Sequence, residues 1–71
     1  KLERYKEAKD YLQLAVRLMP GDPIVNDHYG DVLWKNGNEL QARYYWNYVL
    51  NLEEAEENLK KVIDKKMIKG L

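Results

Sequence analysis

Apolar side chains recur along this chain at alternating spacings of three and four, and proline or glycine breaks the runs at three places. Tyr5, Ala8, Leu12, Ala15 and Met19 form one stripe, with Tyr11, Leu14 and Leu18 beside it. Such spacing puts each set on one face of an α-helix. Two stripes on one helix predict neighbours on two sides. The stretch "PGDP", Pro20 to Pro23, ends this helix and begins the next. Pro20 stops the first helix, the Asp22 carboxylate suits the free amides of a first turn, and Pro23 has no amide to leave unpaired at the first helical position.

Val25, Tyr29, Val32 and Leu33 supply the buried face of the second helix, and Gly37 suits the left-handed residue that closes it. Asn38 is expected to cap the third helix, with Gln41 completing a capping box. That helix carries Ala42, Trp46, Val49 and Leu50 on one side and Tyr45, Tyr48 and Leu52 on another. The fourth, expected from about Glu54 to Lys69, has a single stripe of Leu59, Val62, Ile63 and Met67. Glu53, Glu54, Glu56 and Glu57 crowd its start, and Lys60, Lys61, Lys65, Lys66 and Lys69 follow, in keeping with the helix macrodipole. Gly70 and Leu71 suit a closing turn. The expected fold class is all-α.

A shift of 34 residues lays the first helix on the third: Ala8 meets Ala42, Tyr11 meets Tyr45, Leu12 meets Trp46, Leu14 meets Tyr48 and Leu18 meets Leu52. The same shift lays Val25, Tyr29 and Leu33 on Leu59, Ile63 and Met67. One period shared by both kinds of helix marks a stacked array of helical hairpins. With Tyr29-Gly30, Leu33, Ala42 and Trp46 at the matching places, and Ala8, Leu12, Ala15 and Pro20 in the preceding half, the chain resembles a tetratricopeptide repeat (TPR) protein. Asn26, Leu33, Val49 and Glu54 depart from the family pattern.

The resemblance implies a TPR-like α-solenoid fragment of antiparallel helical hairpins. Residues 1–19 would be the second helix of a truncated repeat, 23–56 one complete repeat, and 54–71 a C-terminal capping helix. Gly30 and Ala42 are expected to face each other, because paired helices approach closely only over small residues. Asp64 takes the place of Gly30 in the last helix, which a polar-backed terminal helix tolerates.

The chain has 71 residues, 45% apolar and 34% charged, so it holds one small domain. A formal net charge of zero shows no basic surplus for nucleic acid. Cysteine is absent, which excludes disulfides and thiolate metal sites. No apolar run approaches the ~20 residues of a membrane span. The opening "KLERYKEAKD" reads as the start of a piece cut from a longer chain. No targeting signal is visible, and the compartment stays unknown, with the cytoplasm as the default expectation.

"DHYGD", Asp27 to Asp31, is the one stretch with the residue types of a metal or acid–base site. Zinc takes three or four protein ligands, and His28 is the sole histidine, so surface charges flanking a packing glycine are the favoured reading. No catalytic triad or phosphate-cradling loop is evident, and no enzyme activity or cofactor is expected. Most aromatics fall on core stripes. Trp34 shares a face with Asp27 and Asp31, where it suits either a contact between repeats or a partner.

By the resemblance, Ile24, Asp27, His28, Asp31, Trp34 and Lys35 line a groove that grips a peptide or helix of a partner protein. Two aspartates there would repel a carboxylate, so a basic or amphipathic segment is expected, with Trp34 as its apolar anchor. The packing set is Ala8, Tyr29, Gly30, Leu33, Ala42 and Trp46. The stripe around Tyr5, Ala8, Leu12 and Ala15 would lack its cover, which predicts self-association through the first helix. Two alternatives are a capping fragment with no ligand of its own and the repeat region of an enzyme-containing chain.

Overall fold

In the computed structural model of the chain, residues 2–71 are described, and Lys1 lies outside them. They form four helices and no strand: α1 (Leu2–Leu18), α2 (Pro23–Lys35), α3 (Glu39–Leu50) and α4 (Glu57–Lys69). α2 packs on α3, α1 on α2 and α4 on α3. The extents are 33 × 29 × 17 Å.

Local chemistry fixes the breaks. Asp22 accepts from the amides of Ile24 and Val25 at 2.9 and 3.0 Å, and Pro23 follows at the first position of α2. Asn26 is fully buried, and its amide group donates to the carbonyls of Pro20 and Asp22, tying the α1–α2 loop to α2. α2 closes on Gly37, at φ +85°, with Gly37 N donating to Trp34 O and Asn38 N to Leu33 O. These two bonds satisfy carbonyls that a helix end leaves free. The Asn36 side chain donates to Tyr5 O and fastens the start of α1 to the end of α2.

The core is a single cluster of Tyr29, Leu33, Ala42, Trp46, Val49, Ala55 and Ile63, flanked by half-buried Leu12, Val16, Tyr45, Leu50, Leu59 and Met67. Gly30 lies at its centre. A Cβ there would stand 2.5 Å from Cδ1 and Nε1 of Trp46 and 3.2 Å from the carbonyl oxygen of Ala42. No side chain fits without moving the indole.

Several expectations are corrected. Asn38 makes no side-chain cap, since its ψ of 63° lies outside the extended range of a capping residue, and its backbone N–H, which a capping box would offer to Gln41, donates to Leu33 O instead. α4 begins at Glu57 rather than near Glu54: a turn over residues 52–55, with Ala55 N donating to Leu52 O, folds Ala55 into the core. Val62 and Tyr48 are exposed rather than buried. On α1 the stripe of Tyr5, Ala8, Leu12 and Ala15 is half-buried. The uncovered stripe is the other one, with Tyr11 and Leu18 both 73% exposed and Leu14 close behind.

Candidate functional site

The polar chemistry of the molecule gathers where a side chain of α4 meets the middle of α2. Asp27 and Asp31 lie one turn apart on α2, and the Lys66 ammonium from α4 stands between them, 2.6 Å from Asp27 Oδ1 and 2.7 Å from Asp31 Oδ1. Trp46 Nε1 donates to Asp31 Oδ1 at 3.0 Å, and Lys66 Nζ also sits 5.3 Å from the centroid of that indole. The cation is thus held by two carboxylates and one ring face. Asp27 is only 6% exposed, so its charge depends on this partner.

Trp34 extends the same surface. Its ring stacks on Trp46 with centroids 5.6 Å apart, and the Arg43 guanidinium lies 4.9 Å from its centroid. Arg43 Nε also reaches Met67 O at 3.4 Å, a long contact near the negative end of α4. Gly70, at φ +76°, closes α4 directly against Trp34, where a Cβ would come within 3.0 Å of three ring atoms. Only glycine lets the chain pass this close to the ring.

The six residues expected to line a groove are thereby divided. Asp27, Asp31 and Trp34 are engaged from within by Lys66, Arg43 and Gly70. Ile24, His28 and Lys35 are exposed along the next strip of α2, and Lys35 Nζ lies 5.7 Å from the Tyr5 ring. The reading of the "DHYGD" acids as surface charges is corrected: Asp27 is buried because α4 lies over it. Among the packing residues, Tyr29, Gly30, Leu33, Ala42 and Trp46 are buried and Ala8 is half-buried.

Lys66 was not singled out from the sequence. The signal was present, since Asp27 and Asp31 share a helix side with Gly30, the residue expected to pack closely, and acids beside a packing face need a cation.

For chemistry, no group of three or more His, Cys, Asp or Glu among the described residues is placed to hold a metal ion. A hollow of about 270 Å³ lies between Asp22, Pro23, Ile24, Glu54, Glu56 and Leu59. No described helix is long and apolar enough to cross a membrane. No family model, curated protein or solved structure matches the chain.

Proposed function

We propose that the chain is a non-enzymatic protein–protein interaction module, the C-terminal end of a TPR array, with residues 23–56 as its complete repeat and 54–71 as its cap. The observation that carries this reading is the approach of α2 and α3 over Gly30, where the indole of Trp46 and the carbonyl of Ala42 leave no room for a Cβ. A sequence with a 34-residue period and small residues at that contact behaves as one unit of a stack. The strip of Ile24, His28 and Lys35 would meet a peptide or helix of the partner. Tyr11, Leu14 and Leu18 would meet a neighbouring helix, either of the same array or of a second copy.

A display library of basic and amphipathic peptides panned against the folded chain tests this proposal. Bound peptides that shift the amide resonances of Ile24, His28 and Lys35 support it. Peptides that shift neither this strip nor Asp27, Asp31 and Trp34 beside it, or no enrichment at all, count against it.

A second reading is favoured by one specific contact. Lys66 fills the space between Asp27 and Asp31, so α4 occupies the face that a ligand would otherwise use. On this account the chain closes a solenoid and binds nothing itself. The same panning experiment decides between them.

A further inference from the structure

We infer that α4 is a displaceable occupant of the α2–α3 face, and that Asp27, Asp31 and Trp34 form a seat for a lysine-bearing helix which a partner protein takes by driving α4 out. The partner in this inference rests on the interaction-module reading, whereas the seat rests on the contacts themselves.

Three features combine. The first is specificity: a buried carboxylate needs a cation, and both ion pairs among the described residues are made by Lys66. The same ammonium meets the Trp46 ring, and four residues later Gly70 lets the backbone lie on Trp34. A helix that fits must therefore present lysine with glycine four positions on, and an apolar residue three before, as Ile63 stands to Lys66. The second is weak anchoring. Ile63 is the one fully buried residue of α4, while Val62 and Ile68 are exposed and Glu56 provides no side-chain cap.

The third feature is the tether. Residues 51–56 between α3 and α4 are irregular, and Ala55 is the buried residue among them. A short link supplies its own helix at an effective concentration on the order of millimolar. An external helix must beat that value, so α4 sets the affinity a partner needs.

A dye-labelled peptide of residues 57–71 serves as the probe, titrated into the full chain and into Lys66→Met and Gly70→Ala variants. Lys66→Met removes the cation. Gly70→Ala drives a Cβ into Trp34 and leaves the acid pair intact, so it carries the test if the first variant does not fold. In each variant, amide exchange across α4 should rise at least tenfold, and most in Lys66→Met, while α2 and α3 keep their protection. The peptide should bind each at least tenfold more tightly than it binds the wild-type chain, because the internal competitor has been weakened. A peptide carrying Lys66→Met should not bind. Unchanged exchange across α4 in both variants would overturn the inference. So would equal binding to variant and wild type, or equal binding of the altered peptide. A seat that passes while panning finds no partner peptide would leave the displacement standing and remove the module reading.

Discussion

The joint between α2 and α3 and the seat of α4 are built from different physics. At the joint a glycine, an alanine and a tryptophan interlock, and the fit is one of shape. There α2 buries Tyr29, Gly30 and Leu33, and α3 buries Ala42, Trp46 and Val49. α4 buries Ile63 alone and is positioned by the charge of Lys66. A single buried ion pair mainly specifies where a helix sits, since its Coulomb gain is offset by desolvation. The two regions should therefore open at different free energies, with α4 the first to go.

Trp46 belongs to both regions, so its loss should produce the largest effect. Trp46→Ala leaves a cavity against Gly30 and Leu33, and it deprives Asp31 of a donor. It should cost about 3–5 kcal/mol. For a chain this small that approaches the whole stability, and guanidinium unfolding should show the helices lost together. Lys66→Met comes next, at about 3 kcal/mol, because it strands the Asp27 charge. Adding Asp27→Asn should recover much of that loss, and a double-mutant cycle by urea denaturation measures it. If the single and double variants are equally unstable, α4 is held by apolar contact after all.

Gly30→Ala probes the joint by sign. In an open helix the change stabilises by up to about 1 kcal/mol. Here the added methyl meets the Trp46 indole and the Ala42 carbonyl, so a loss of about 1–3 kcal/mol is expected instead. Thermal unfolding read by tryptophan fluorescence checks it, and a raised midpoint would mean that the helices stand further apart.

This contrast explains which parts were legible in the sequence. The joint was, because its determinants are local: Asp22 with Pro23, Gly37 at positive φ, and the small residues Gly30 and Ala42 on successive helices. Boundaries set by competition were harder. Four acids near Glu54 look like the first turn of a helix, yet burying Ala55 requires a turn there, and α4 waits until Glu57. Asn38 has the composition of a cap, but closing α2 holds its backbone at a ψ of 63°, outside the range in which its side chain reaches the first-turn amides. The seat was only half legible: two acids beside a packing glycine call for a cation, but not for a particular one. Asp27 and Lys66 are 39 residues apart, and no spacing rule relates a charge on one helix to a charge on another. On α1, both stripes have helical spacing, and only the direction of approach of α2 decides which is covered.

The smallest effect should come from alkaline pH and concern the α2–α3 region through Tyr29. Burial raises the pKa of its phenol above the usual value of 10.0, the neighbouring Tyr45 and Asp10 raise it further, and Arg17 opposes them. The folded state therefore holds the phenolic proton more tightly than the unfolded chain. The stability this provides is fully present below the unfolded pKa and is lost as pH rises through the folded one. Urea midpoints of the wild-type chain should fall between about pH 9 and about pH 11 by more than those of Tyr29→Phe, which has no proton to lose. Other tyrosines and lysines titrate in both proteins, so the difference between the two curves isolates this one group. Parallel curves would mean that the Tyr29 hydroxyl reaches water, and that the joint is looser on its α1 side than the burial of the ring implies.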